Sequence, residues 1–574
     1  MERSTACPDW ESRLIARQSI IPPPIFPDQA AHAVAMFKQF LVVDLPKTVW
    51  DETLGDAGEY RSPTFGECSE EWVFDFVAAI FGAYDAETGK QLIREYGLLI
   101  SKKNTKSTIA AGIMLTATIL CWRQEEEHLI LAPTKEVADN SFKPAAAMVR
   151  ADPELAAMFH VQDHIRTITH RGTRNCLKVV AADTDTVSGK KAGRILVDEL
   201  WLFGKKGNAE AMFMEALGGQ VSRDEGWVIF LTTQSDEPPA GIFKQKLEYW
   251  RKVRDGVVLD PKTLGILYEF PKRLLDTQAY MLPENFYITN PNMGRSVSQE
   301  WLEDQLRLYQ ARTDGTFQKF LAKHLNIQIG MNLLSDRWAG ADYWAVQGVE
   351  RELTLDALIE RCEVIDVGVD GGGLDDLLGL AAVGREKVTR RWLLWTHAWA
   401  HPSVLERRKS EVSKLMDFAN DGNLTIVKRV GDDVDDVAQK VASIEAAGKL
   451  DKVGMDPAQI NALIDALVSA GVPQEKLVQV SQGWKLGGAI VTAERKLAEG
   501  VLVHGGQPLM TWCVGNARIE QRSNSILVTK QASGKAKIDP LMAAFNAIEL
   551  MSLNPGAQVG IDEYLSGGFF GLIG

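Results

Sequence analysis

Five short apolar runs alternate with helical stretches between about residues 91 and 335: GLLI (97–100), EEHLILAP (126–133), CLKVVAA (176–182), RILVDE (194–199) and GWVIFLTT (226–233). Strands separated by helices read as βαβ units, which predicts a mostly parallel sheet. A second β-rich region opens at CEVIDVGVDGGG (362–373) and continues through LLGLAAVGR (377–385), TRRWLLWTHAW (389–399) and DKVGMD (451–456). It closes on the helix-like KIDPLMAAFNAIELM (537–551). The expected fold class is α/β, as two α/β domains in tandem.

Composition narrows the function classes. With 45% hydrophobic and 24% charged residues, the 574-residue chain reads as globular and soluble. It carries no uninterrupted apolar run of about 18 residues, so no membrane span is expected. The N-terminal MERSTACPDWESR lacks the apolar core of a secretory signal. Cys7, Cys68, Cys121, Cys176, Cys362 and Cys513 lie far apart with no CxxC pair, which fits a reducing cytoplasm. A net charge of −13 argues against a protein that coats nucleic acid with its whole surface, yet leaves room for a local basic channel.

The stretch SKKNTKST (101–108) stands between an expected strand and the helical IAAGIMLTATIL (109–120). That is the setting of a phosphate-binding loop, where backbone N–H groups and a helix N-terminus face an anion. Lys106 and Ser107 supply the lysine and the Mg²⁺-binding hydroxyl in order, but Ile100 and Thr105 stand where the usual loop has glycines. About 90 residues on, RILVDELW (194–201) ends a strand in two carboxylates. Asp198 suits a Mg²⁺ ligand and Glu199 the group that polarises the attacking water. The strand GWVIFLTT then ends in polar Thr232, Thr233 and Gln234, suited to reading the γ-phosphate.

In the second region, acidic residues fall at strand and helix ends. Asp370 enters a glycine-rich turn followed by Asp375 and Asp376, Asp456 ends a strand, and Asp539 begins a helix. Hard divalent ions take clustered oxygen ligands, and two of them can flank a phosphodiester under in-line attack. Asp456–Pro457 and Asp539–Pro540 are equally good helix starts.

Taken together, these motifs resemble the phage terminase large subunits, ATP-driven DNA-packaging motors that are also nucleases. SKKNTKS (101–107) is similar to the family's PRKNGKS at Lys103, Asn104, Lys106 and Ser107, with Thr105 replacing its glycine. LILAPTKEVADNSF (129–142), SGKKAGRILVDELW (188–201) and FLTTQS (230–235) resemble its next three motifs. The adenine-side signature is matched only by EEWVFDF (70–76), with Val73 in place of glutamine. GVDGGGLDDLLGLAAVG (368–384) and VGMDPAQ (453–459) resemble the nuclease motifs, and the stretch from 499 to 540 resembles the one carrying His504, Asn516 and Asp539.

The resemblance implies a helical lead-in (1–90), a P-loop ATPase (91–335), a linker (336–360), an RNase H-like nuclease (361–551) and a tail (552–574). It implies ATP bound by Lys103, Asn104, Thr105, Lys106, Ser107 and Asp198, with Mg²⁺ on Ser107 and Asp198. Glu199 would be catalytic, and Thr232 and Thr233 would couple hydrolysis to movement. Asp370, Asp456 and Asp539 would hold Mg²⁺ or Mn²⁺, as two ions, with Asp376, His504 and Asn516 in support.

Implied partners are double-stranded DNA, the small terminase subunit and the portal protein, with a homo-oligomeric ring on the portal. The place of action would be the host cytoplasm and the procapsid, not the mature virion. A helicase-type ATPase without nuclease activity is the alternative. Lys190, Lys191, Arg194 and Arg223 are all candidates for a residue acting across subunits. The basic LVTKQASGKAK (527–537) is open to two readings, a DNA contact or a solvated loop. HVQDH (160–164) and HAWAH (397–401) have histidines at helical i, i+4 spacing but lack the base and third ligand of a zinc site.

Overall fold

The computed structural model describes residues 3–54, 58–181, 192–206, 208–312, 316–329, 338–408, 411–456, 460–522, 525–529 and 537–557. Two compact units divide the chain, Met1–Ile329 and Gly330–Gly574.

The first unit is built on an eight-stranded sheet. In chain order its strands are β1 (Glu95–Leu99), β2 (Glu127–Ala132), β3 (Phe159–Gln162), β4 (Thr167–His170), β5 (Cys176–Ala181), β6 (Ala192–Val197), β7 (Trp227–Thr232) and β8 (Thr263–Leu267). The spatial order is β8-β1-β7-β6-β2-β5-β4-β3. The six strands from β8 to β5 pair in parallel, and β4 and β3 extend the sheet antiparallel. The five expected strands are all present; β3, β4 and β8 lacked a readable signal.

Burial on both faces explains the near-continuous apolar runs: β6 and β7 are buried at every position. Helix α1 (Lys106–Ile119) is likewise apolar nearly all round and packed into the interior. Where β1 and β8 pair through Gly97 and Gly265, the absence of side chains lets the fully buried Trp250 lie on the strands.

The second unit holds a seven-stranded mixed sheet. Its long antiparallel strands are β9 (Cys362–Gly371), β10 (Leu377–Glu386) and β11 (Trp392–Ala400). Shorter strands add in parallel: β12 (Leu424–Ile426) and β15 (Leu502–His504) on β11, β13 (Leu450–Met455) on β9, and β14 (Leu477–Gln479) on β13. Alternation along β9 sends Ile365, Val367 and Val369 into one apolar layer. The opposite face is covered by helix α2 (Asp539–Met551), which supplies Leu541, Ala543, Ala544 and Ala547 to the other layer.

Helix α2 lies close to the sheet because the strands beneath it are glycine. A Cβ on Gly368 would collide with the Ala543 carbonyl oxygen, and one on Gly379 would stand 2.7 Å from Pro540 N. Asn546 fixes the docking, its amide donating to the Val369 carbonyl at 3.0 Å.

The stretch 336–360 is more than a linker. Its described residues, 338–360, include helix Gly340–Gln347 and all but the last residue of helix Leu355–Arg361, and Trp338, Ala341 and Trp344 are part of the second unit's core. Within the expected tail, 558–574 lie outside the described residues. Among the described residues no helix is long and apolar enough to cross a membrane.

Candidate functional site

Three neighbouring strands of the first sheet, β1, β7 and β6, deliver the nucleotide motifs to one edge. After β1 the chain turns through 101–105 into helix α1, and Thr105 adopts the left-handed conformation at φ 55°. A β-branched residue pays about 1–2 kcal/mol for that geometry. The loop offsets the cost with its side chains. Thr105 Oγ1 donates to the Asn104 carbonyl at 2.8 Å, and Asn292 Nδ2 donates to Thr105 Oγ1 at 2.9 Å and to the Asn104 carbonyl at 3.1 Å. The Trp72 indole N–H in turn donates to Asn292 Oδ1 at 2.8 Å. Trp72, in the stretch matched to the adenine-side signature, thus shapes the phosphate loop.

Asn104 is fully buried and its amide is spent inside the chain, donating to the Ser101 carbonyl and Asn290 Oδ1 and accepting from Asn292 N. It shapes the loop from within. Lys103, by contrast, is exposed.

Lys106 Nζ lies 2.8 Å from Glu199 Oε1, and Ser107 Oγ donates to Asp198 Oδ2 at 3.1 Å across the intervening strand β7. Ser141 donates to the same Oδ2 at 2.9 Å, and Asp198 Oδ1 is buried with no hydrogen-bond partner among the described residues. Burial first and the neighbouring Glu199 second push the Asp198 carboxyl up to about 6. Burial also acts to raise Glu199. The charge and hydrogen bond of Lys106, with the Trp201 indole N–H, outweigh it and hold that carboxyl below the usual range. A buried anionic oxygen in need of a partner, with a hydroxyl on the same atom's twin, is a donor set that fits Mg²⁺.

The Thr232 hydroxyl accepts from Trp201 N at 3.2 Å and donates to the Thr233 carbonyl at 2.8 Å, so the end of β7 is joined to the acidic turn. Arg194 and Arg223 begin at the other end of the sheet; Arg194 is buried and Arg223 is paired with Glu126 at 2.9 Å. Lys190 and Lys191 lie outside the described residues.

In the second unit, β9 and β13 pair in parallel up to Val369 and Met455, so Asp370 and Asp456 leave adjacent strands side by side. Asp539 is the first residue of helix α2, which is capped at Ile538, so it is not an N-cap. A Cβ on Gly371 would stand 3.2 Å from the Asp539 Cβ. The three aspartates therefore share one edge. Among the described residues no three His, Cys, Asp or Glu side chains enclose a metal-sized space. Asp376 is ion-paired with the buried Lys537, which also donates to the Asp375 carbonyl at 2.7 Å. Asn516 donates to the Lys537 carbonyl at 3.0 Å, steadying the approach to Asp539.

His504 departs from expectation. It pairs with Leu394, in register with Asp366 rather than Asp370, about 13 Å down the strands from the acidic edge. It stacks on Trp344 at 3.5 Å, accepts from Gly506 N and donates to the Trp344 carbonyl. Burial, against that carbonyl, keeps it neutral with its pKa down to about 4. Neither histidine pair, 160/164 or 397/401, shares a helix: His160 and His397 are strand residues, and His164 lies in a single 3₁₀ turn.

Sequence reasoning also missed Asp366, fully buried in β9 with Oδ1 accepting from Lys452 N at 3.2 Å. Burial first and Asp451 second raise its carboxyl to about 8. A strand aspartate flanked by valine and isoleucine was the available signal.

The family model for the terminase large subunit ATPase domain matches residues 71–252, and that for the terminase large subunit endonuclease domain matches 271–553. The chain belongs to the terminase large subunit family. A terminase large subunit hydrolyses ATP to package DNA and cuts it, so the helicase-type alternative without a nuclease is not favoured.

Among curated relatives, this terminase is 24% identical over 495 residues to the terminase large subunit of Enterobacteria phage HK97, covering 85% of this chain and 90% of the relative. It is 22% identical over 472 residues to the terminase large subunit of Lactococcus phage p2, covering 80% and 82%. Among solved structures, the HK97 bacteriophage large terminase matches at 19% identity and TM-score 0.45, over 91% of this chain and 99% of that one. A large terminase from a thermophilic bacteriophage matches at 14% and 0.30, over 82% and 96%. The two domains carry dependence on a nucleotide and on divalent metal, and the family's work implies contact with DNA, portal and small subunit.

Proposed function

We propose that this large terminase hydrolyses ATP where Lys106, Ser107, Asp198 and Glu199 meet, and cuts duplex DNA at the edge carrying Asp370, Asp456 and Asp539. The observation that carries the first half is the paired contact of loop and acidic turn, Lys106 with Glu199 at 2.8 Å and Ser107 with Asp198 at 3.1 Å.

In this reading Lys106 leaves Glu199 for the β- and γ-phosphates, with exposed Lys103 beside it, while the loop amides and the start of helix α1 face the same anion. Glu199, freed from Lys106, accepts a hydrogen bond from the attacking water and orients it in line. Ser107 and Asp198 would hold Mg²⁺, whose charge offsets that of the phosphates. Thr232 and Thr233 carry the change along β7 through the Trp201 amide.

For cutting, Asp370, Asp456 and Asp539 would hold two divalent ions, Mg²⁺ or Mn²⁺, which supply an activated water and charge at the leaving oxygen. Asp376, held by Lys537, braces the turn after Asp370. Packaging takes place in the host cytoplasm at the procapsid portal, where copies of the chain form a ring.

The test is ATP hydrolysis by the full chain with DNA. Lys106→Ala and Glu199→Gln should each lower turnover by on the order of a hundredfold. Wild-type turnover in Lys106→Ala would overturn the assignment.

A further inference from the structure

Lys323 is the least expected charge near the nucleotide elements. It lies on helix Thr316–His324, is 8% exposed, and places Nζ 3.0 Å from the centre of the Trp201 ring. Its Nζ also donates to the Gln234 carbonyl at 2.7 Å. A methionine would fill the same space without the cost of burying a charge, so the charge itself calls for a role.

The contacts of Trp201 give one. Its indole N–H donates to Glu199 Oε2 at 2.6 Å, while its ring face carries Lys323. A cation on an indole face is attracted to the ring, most strongly when desolvated, and draws the N–H edge toward greater acidity. The same corner of the chain touches the other nucleotide elements. Lys102 N donates to the Lys323 carbonyl at 2.7 Å, and Gln234 N donates to Asn326 Oδ1 at 3.3 Å. The Gln234 side-chain amide is buried with no hydrogen-bond partner among the described residues. Phosphate loop, acidic turn and coupling strand thus meet at Lys323–Asn326.

We propose that Lys323 is a positioning residue of the ATPase: through the face of Trp201 it holds Glu199 in place once Lys106 turns to the phosphates, and through the Gln234 carbonyl it ties that carboxylate to the coupling strand. Lys106 is the direct counter-charge of Glu199 in the structure. After Lys106 turns away, the Trp201 N–H, held from behind by Lys323 on the ring face, is what keeps Glu199 aimed. This inference rests on the assignment of Glu199 above.

The experiment compares Lys323→Met, Trp201→Phe and their double variant in the full chain. ATP turnover with DNA is measured beside the affinity of a fluorescent ATP analogue, with Glu199→Gln as a control. Each single variant should lose on the order of tenfold in kcat while analogue affinity stays within about twofold, and the double should be no slower than the slower single. Lys323→Arg should recover part of the loss. Lys323→Met turning over at the wild-type rate, affinity falling in step with kcat, or additive losses in the double would each overturn the proposal. Should Lys323→Met not fold, Trp201→Phe with an unchanged kcat overturns it equally. Full turnover in Glu199→Gln would instead remove the underlying assignment of Glu199.

Discussion

Asn292 donates a hydrogen bond to the hydroxyl of Thr105 at 2.9 Å, and so props the residue that stands where a phosphate loop usually has glycine. The loop keeps its shape through a side chain 187 positions away. Removing a buried donor from such a network costs about 1–3 kcal/mol. Asn292→Ala should therefore weaken ATP binding several-fold, measured by titration with a fluorescent analogue. Thr105→Gly, which needs no prop, should restore most of the affinity in that background. A double variant as weak as Asn292→Ala alone would show that Asn292 acts elsewhere.

Gly368 sets how near helix α2 can come to the sheet, and with it where Asp539 stands relative to Asp370. Gly368→Ala should overpack this contact at a cost of about 1–3 kcal/mol. DNA cutting should fall sharply while ATP hydrolysis, in the other unit, holds. Plasmid cleavage and turnover assayed on one preparation check this, and unimpaired cutting would refute it.

Asp366 gives the second unit a pH dependence of known sign. Its carboxyl titrates near 8 when folded, against an ordinary value near 3.8 when unfolded, so the folded state binds the extra proton between those values. Stability from this group is complete below about 4 and is lost as pH rises toward 8. Asp366→Asn keeps an acceptor for Lys452 N and removes the titration. It should raise thermal stability near neutral pH by on the order of a few kcal/mol, with the gain vanishing near pH 4. Melting curves across that range measure it, and a gain independent of pH would contradict it.

Local chemistry was legible where it is written in neighbouring residues. The apolar runs of β1, β2, β5, β6 and β7 are long enough to mark buried strands, and SKKNTKS followed by VDE names the elements of the nucleotide site. What stayed hidden depends on distant partners. Asn292 matters because the fold brings it to Thr105, Lys323 because it lies on Trp201, and Asp366 because strand alternation turns it inward. Residues 338–360 lack a sheet rhythm since they are largely helical and join the second core through Trp338 and Trp344. His504 followed a family order, but its strand pairs at the wrong level of the sheet to reach Asp370. The i, i+4 histidines are already weak zinc candidates for want of a base and a third ligand, and His397 lies on a strand, where that spacing forms no helix face.

The most direct test of the account is plasmid cleavage with Mg²⁺ or Mn²⁺ by the full chain, wild type beside Asp370→Ala, with ATP hydrolysis assayed in parallel. The account predicts that cutting disappears in the variant while hydrolysis persists, since Asp370 heads the acidic edge of the second sheet and the nucleotide elements belong to the first. Cutting that survives the substitution would contradict it and move the nuclease centre away from the ends of β9 and β13.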